Sequence, residues 1–311
     1  MTLARFLARV PGVAFLLVLL AILFTIFASG FPSIPNLLNI GIQSSTLLLL
    51  ALPMTFIIMT EGLDLSMGAV LGLTGVVLAI ALVNGNALPV ALAAALGVGL
   101  AFGIANGLLV VKLGMPPFVA TLSTLGIAQG AALVLTNGES VVGIGRTLPR
   151  LYSSTWVGIP FSIVAAALGY AAFHFLLYHT RFGNYVFAIG GNREALVLAG
   201  VPAGFFHVSV YALGGLMAGF AALLLTGRMN SGHPIAAMGM EFDAIAAVIV
   251  GGTERQRGNG WLPGTVLGVL TVGVLRNGLN VMALPSSLQV ASIGLLLIAA
   301  LLIDALRRRR S

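Results

Sequence analysis

The chain has 311 residues, of which 59% are hydrophobic and only 7% are Asp, Glu, Lys or Arg. A soluble domain carries about a quarter charged residues, so a chain this long with so few cannot cover a water-facing surface, and its solvent is lipid. The net charge of +7 sits at the ends of apolar runs, not among aromatics on a polar face, which argues for a topology signal over a nucleic-acid groove; the lack of Cys excludes disulfides, Cys-ligated metals and a thiol nucleophile.

In chain order, Arg5 and Arg9 precede an apolar run from Pro11 to Ala28. The run exceeds the roughly 7–15 residues of a signal-peptide core, and no clear small-residue cleavage site follows, so an uncleaved first span is expected. Each span needs roughly 20 apolar residues. On that measure spans are expected at about 11–29, 37–59, 67–84, 88–111 and 117–136. After a polar loop from Asn137 to Gly158, five more follow at about 160–178, 203–227, 242–252, 263–283 and 287–306. The expected fold is an all-α integral membrane protein of about ten transmembrane helices, forming one membrane domain over residues 1–311. The eighth span is the weak one. Ala244 to Val250 is too short to cross alone, and Gly251 and Gly252 end it. It either extends back through Met238 to Phe242 or is half of a broken helix.

With the amino terminus inside, ten spans return the carboxyl terminus inside as well. The inside set is then Arg5, Arg9, Lys112, Arg181, Arg193, Arg255, Arg257 and the final run Arg307, Arg308, Arg309 and Arg310. The outside set is Arg146, Arg150 and Arg228, with Arg276 in the outer half of a span. That bias follows the positive-inside rule and places both termini in the cytoplasm. A faint repeat is also visible. Glu61-Gly-Leu-Asp64 opens the third span and Glu241-Phe-Asp243 the eighth. Ala105-Asn-Gly-Leu108 lies late in the fourth, Arg276-Asn-Gly-Leu279 late in the ninth, and Pro116 and Pro285 follow at similar distances. The expected arrangement is two five-helix halves of inverted topology, about 1–150 and 151–311, with a pathway at their interface.

Polar residues in or beside these spans are the candidates for function. Asp64 and Glu61 are placed at the membrane boundary before Ser66, where Asp64 either shapes the mouth of a path or caps the third span. Asn106 and Asn277 sit within apolar spans and either meet a polyhydroxylated solute or tie helices together. In the segment 180–204, Asn192 is suited to cap a short helix from Arg193 to Ala199 that Gly200 ends. That helix has the polar Arg193 and Glu194 and the apolar Leu196, Val197 and Leu198, and it docks another subunit or lies at the interface. The four His residues (His174, His179, His207, His233) show no ligand spacing, and no P-loop or nucleophile elbow is present. If transport is pumped, the ATPase is another chain.

Five segments together carry a resemblance. They are GLDLSMGAVLGLTG (62–75), ANGLLVVKLGMPPFVATLSTLGIAQGAALVLTNG (105–138), RFGNYVFAIGGNREALVLAGV (181–201), MGMEFDAIAAVIVGGT (238–253) and GTVLGVLTVGVLRNGL (264–279). In this order they resemble the permease subunits of bacterial ATP-binding-cassette importers for ribose, xylose, arabinose and related sugars. The resemblance implies an inner-membrane permease that forms the path for a monosaccharide or related solute. It implies a second permease copy, a cytoplasmic ATPase subunit that uses ATP and Mg, a periplasmic solute-binding protein, and no cofactor on this chain. Segment 180–204 would be the coupling loop, through Asn192, Arg193, Glu194, Ala195, Ala199 and Gly200. Asp64, Ser66, Asn106, Phe118, Thr121 and Asn277 are the pathway or substrate candidates. Two departures stand out: Glu61 where Gly is commoner, and the turn Glu254-Arg-Gln-Arg257 where small residues are usual. Nucleoside and autoinducer importers have related permeases. A gradient-driven carrier would want an intramembrane acid, and Asp64, Asp243 and Asp304 are read as span ends.

Overall fold

The computed structural model describes residues 12–253 and 258–308, so expectations that fall on Arg5, Arg9, the Glu254–Arg257 turn, Arg309 and Arg310 lie outside the described residues. Among the described residues there are twelve helices and one small hairpin. The first six helices are α1 (Gly12–Phe27), α2 (Ile34–Met59), α3 (Met67–Val83), α4 (Leu88–Val111), α5 (Pro117–Thr136) and α6 (Thr147–Ser153). The hairpin pairs β1 (Thr155–Trp156) with β2 (Ile159–Pro160). Then come α7 (Phe161–Tyr178), α8 (Arg181–Leu198), α9 (Ala203–Met229), α10 (Met240–Val250), α11 (Leu262–Val281) and α12 (Ser286–Arg308).

The result is a multi-span helical membrane fold. Six helices, α2, α4, α5, α7, α9 and α11, are long and apolar enough to cross a bilayer by length and composition. The shorter apolar helices are α1, α3 and the Ser286–Leu296 part of α12, while α10 has only 11 residues. Helix starts follow local chemistry: α2, α4, α5 and α11 each carry Pro in the first turn, where the missing N–H has no intrahelical partner anyway. Asn137 and Asn230 end α5 and α9 in the left-handed conformation, with φ of 51° and 52°. The polar loop expected from Asn137 to Gly158 contains α6 and joins the later half of the chain through the Val141–Gly232 bridge.

The core is built on α2 and α9, which pack on each other. Leu49 to Met59 of α2 are buried without interruption. Around this pair, α9 packs on α3 and α4, and α2 packs on α10 and α11. Further out, α3 packs on α4 and α5, while α10 packs on α11 and α12. Between α4 and α9 the backbones touch. A methyl on Gly103 would lie 2.9 Å from the Ala212 Cα, one on Gly107 would lie 2.9 Å from the Val208 Cα, and Gly99 faces Gly215 more closely still. Small residues at such spacing let membrane helices approach to backbone contact, which bulkier pairs forbid.

Two stretches of non-helical chain run inside the bundle. The first is residues 60–66, which precede α3. The sequence placed Asp64 at the membrane boundary, but it is 1% exposed. Its carboxylate sits 3.9 Å from where a methyl on Gly214 would lie, and Gly214 is near the middle of the 27-residue α9. Glu61 has φ of 64°, the left-handed region that costs a side chain energy and suits Gly, which accounts for the commoner residue at this position. The second stretch, residues 230–239, returns from the end of α9 along one face of α3. Gly232 lies against Ala79 and Gly75, and a methyl on Gly72 would meet the Pro234 carbonyl at 2.8 Å. One on Gly68 would meet the Ala237 carbonyl at 2.7 Å. Gln129 of α5 donates to the Pro234 carbonyl at 3.2 Å from another side. Buried protein surface is what permits irregular backbone at such depth. The expected eighth span is therefore a half-length helix fed by a re-entrant stretch, and its first turn meets the first turn of α3 at Gly68 and Glu241.

Replacing Gly215 by Val should force α4 from α9 and lower stability by about 1–3 kcal/mol or more, as overpacking does. Gly97→Ala, on the same α4 but with open space around it, should hold or slightly raise the melting temperature. Thermal unfolding of both variants in nanodiscs checks this, and equal effects would deny the close contact its role.

Candidate functional site

The pathway candidates of the first half come together. Asp64 Oδ1 accepts the Ser66 N–H at 2.9 Å and the Ser66 hydroxyl at 2.6 Å. Ser66 Oγ in turn accepts from Asn106 Nδ2 at 2.8 Å, and Asn106 Oδ1 accepts the Thr124 hydroxyl at 2.6 Å. Asn106 Nδ2 also lies 3.4 Å from Asp64 Oδ2. Thr121 donates to its own helix at the Pro117 carbonyl, 2.8 Å away, with the Leu63 carbonyl at 3.4 Å. Every one of these side chains is buried. Each has a partner, as a buried amide or carboxylate in a dry bundle must. The cluster pins the approach to α3 onto α4 and α5. Phe118, about one turn before Thr121 on α5, takes no part in this network and is exposed.

Asn277 joins a different set. It exchanges two hydrogen bonds with Asn36, at 2.8 and 2.9 Å, and Asn36 also donates to the Phe31 carbonyl. That reciprocal pair fastens the start of α2 to α11, so Asn277 is a helix-joining residue. Its neighbour does what Asn106 does in the first half: Arg276 Nη2 lies 2.7 Å from Asp243 Oδ2, tying the first turn of α10 to the late part of α11. Glu241 accepts the Gly239 N–H with both oxygens at 3.1 Å. Sequence reasoning missed Thr124, Asn36 and the Arg276–Asp243 pair. Thr124 had a signal, since it follows Thr121 on the same helical face; Asn36 had none, lying 241 residues from its partner. Asp243, in the first turn of α10, is buried like Asp64 before α3, so both acids sit at helix starts as the sequence placed them but are enclosed by protein.

In segment 180–204 the expected short helix is the second part of a longer one. Thr180 caps α8, and Asn192, at φ −155° and ψ 90°, breaks it. Asn192 Oδ1 accepts the Ala195 N–H at 2.9 Å and starts the helix anew. Gly200 takes φ of 78° just beyond the last turn. Leu196 anchors the short piece against Ile189 and Ala203, while Arg193, Glu194, Ala195, Val197, Leu198 and Ala199 are exposed. Leu198 is 88% exposed and stands beside the exposed Val197. The first part of α8 is held from below: a methyl on Gly190 would collide with the Met59 carbonyl at the end of α2 and with Gly258.

Comparison with known proteins places this arrangement. A family profile described as "Branched-chain amino acid transport system / permease component" matches residues 36–301. The chain is 39% identical to the ribose import permease protein RbsC of Escherichia coli K12 over 303 residues, covering 93% of this chain and 91% of that protein. It is 35% identical to the D-allose transport system permease protein AlsC of the same strain, covering 93% and 90%. It is 30% identical to the L-arabinose ABC transporter permease protein AraH of Azospirillum brasilense, covering 84% and 77%. Among solved structures, an inward-facing metal-chelate type ABC transporter superposes with a TM-score of 0.50 at 16% identity, covering 94% of this chain and 99% of that one, a likeness of fold alone. The chain belongs to this family of ABC permease components.

Asn106→Leu should take the amide donor from Ser66 and Asp64 and the nearer acceptor from Thr124, and destabilise the protein by about 1–3 kcal/mol. Thr124→Val, which removes the hydroxyl shared by Asn106 Oδ1 and the Thr121 carbonyl but leaves the amide bond to Ser66, should cost less, about 1 kcal/mol. Denaturant or thermal melts of the purified permease rank the two. Asn192→Ala should cost about 1 kcal/mol of local helix stability, read as faster hydrogen exchange confined to 193–199.

Proposed function

We propose that this member of the permease family forms the membrane path of an ATP-driven importer for a monosaccharide. The observation that carries the reading is the 39% identity to a ribose import permease along 93% of the chain. In this reading ATP, with Mg, is hydrolysed on a separate cytoplasmic subunit. A periplasmic binding protein delivers the solute, and a second permease copy completes the path.

The reading includes ten spans in two inverted five-helix halves, α1–α5 and α7 with α9–α12. The packing supports it: each contact of the α2–α5 set has a counterpart in the α9–α12 set. α2 on α10 and α11 answers α9 on α3 and α4, α10 on α11 answers α3 on α4, and α10 on α12 answers α3 on α5. The acid at the start of α3 pairs with Asn106, and the acid at the start of α10 pairs with Arg276, the residue beside the matching Asn277. Inverted repeats of this kind meet at broken helices near the bilayer midplane. Among the first candidates, Asp64, Ser66, Asn106, Thr121 and Asn277 fix the walls of the path from behind, and Phe118 lies on an open face. The charge set read from the sequence supports cytoplasmic termini in the inner membrane.

The coupling role falls to the second part of α8, Arg193 to Ala199, whose exposed Val197 and Leu198 suit a groove on the ATPase. The double substitution Glu194→Arg with Ala195→Glu, on that exposed helix, should abolish sugar-dependent ATPase activity while leaving the melting temperature within a few degrees. Retained stimulation would refute the docking assignment. The whole reading is tested by reconstituting the permease with its ATPase and binding protein in nanodiscs and adding D-ribose. Stimulated ATP hydrolysis is the expected result; no assembly with an ATPase would overturn it.

A further inference from the structure

Arg276 is a charged residue inside an apolar helix, and its surroundings differ from those of the other candidates. Its side chain is 35% exposed, whereas its partner Asp243 is nearly closed off. One nitrogen, Nη2, is committed to Asp243, and Nε is buried with no hydrogen-bond partner among the described residues. A half-exposed guanidinium in a membrane either stretches to the headgroups or faces a wet cavity. The direction here excludes the first. α10 and α11 run antiparallel in contact, with Gly251 against Gly264 and Ala247 against Gly268. That register puts Asp243 level with Val272, about one turn of helix deeper than Arg276. The guanidinium therefore turns back along α11 toward Asp243, away from the near end of α11. Its face is also the right one. α1 covers the opposite side of α11, through Phe24 on Gly278 and Val274. Arg276 looks toward the half-length α10 and the stretch 230–239, whose Ile235, Met238 and Phe242 are exposed.

We propose that Arg276, held by Asp243, is a solute-contacting residue of the pathway and that it selects an uncharged, hydroxylated solute over an anionic one. This rests on the importer reading above. Asp243 cancels the charge of Arg276 but uses only part of its fork, so the pair offers directed N–H donors with no net charge. Sugar hydroxyls accept such donors. A carboxylate or phosphate would be drawn by a free Arg and meets here one already neutralised, with a second acid, Glu241, two residues from Asp243.

The test uses the full complex of permease, ATPase and binding protein in proteoliposomes. Uptake of labelled D-ribose is measured with and without D-ribonate on both sides of the membrane. Binding protein and ATPase are identical throughout, so differences report the permease. Arg276→Gln should lower ribose uptake by about tenfold or more per folded complex, and Arg276→Lys, which keeps the charge and the tie to Asp243 but loses the fork, should hold the melting temperature and restore uptake only in part. Asp243→Asn should free the cation and make ribose uptake sensitive to ribonate at concentrations about tenfold below those the wild type tolerates. Wild-type uptake by Arg276→Gln, or unchanged ribonate tolerance in Asp243→Asn, overturns the proposal. Absence of ribose uptake in the wild type itself would instead defeat the importer reading.

Discussion

In hydrocarbon an unpaired backbone N–H or C=O costs several kcal/mol, because no water is present to receive it. The rest of the structure depends on how the chain meets that demand at two places where it is not helical. Residues 60–66 solve it with side chains: Asp64 takes the Ser66 N–H, and Asn106 and Thr124 close the network behind it. Residues 230–239 solve it with bonds of their own, Gly232 pairing with Val141, Gln129 donating to the Pro234 carbonyl, and turn bonds reaching the His233, Ile235 and Ala237 carbonyls. The face of α3 formed by Gly68, Gly72, Gly75 and Ala79 brings protein to within contact of their carbonyls and keeps lipid out. Remove either device and α3 or α10 loses the position of its first turn.

Those first turns are where the two halves of the chain meet, at Gly68 and Glu241. A helix start carries unsatisfied N–H groups and a partial positive charge, and each of these two has an acid beside it. The acids are then tied to the next helix in different ways. Asp64 meets neutral donors and lies buried within a closed network, while Asp243 meets a cation that remains open on one side. The Asp64 site is thus a closed structural joint, while the Asp243 site keeps part of a charged group open to its surroundings.

Much of the fold was legible because lipid as solvent makes the pattern coarse: an apolar run of spanning length is a helix, and Pro and Asn punctuate its ends. The expected ends of α3, α4 and α5 fall within a residue of those found. The weakness of the eighth span was also visible in its length. Three things were not. The depth of Asp64 depends on residues 60–66 turning inward, and an acid just before a helix reads equally well as an interfacial cap. The helix from Arg181 to Gly191 was hidden by Gly190 and Gly191, which look like breakers; Gly190 is small because α8 touches the Met59 backbone. The role of Asn277 was set by Asn36, at a separation no local pattern reports. For the candidate site, the residue types and the cap at Asn192 could be read, but which polar groups are open and which are enclosed could not.

The stretch 230–239 has two unequal sides, and this bears on how such a protein changes over evolutionary time. Its inner side is fixed by backbone contact with α3, where even a methyl group is excluded. Its outer side carries Ile235 and Met238 on the open face, beside Phe242 of α10. Substitutions there alter what the surface presents without disturbing what holds it. Mutational tolerance is thereby concentrated on a few outward positions of a rigidly backed strip, so the surface shown there can change by one or two codons while the bundle stays intact.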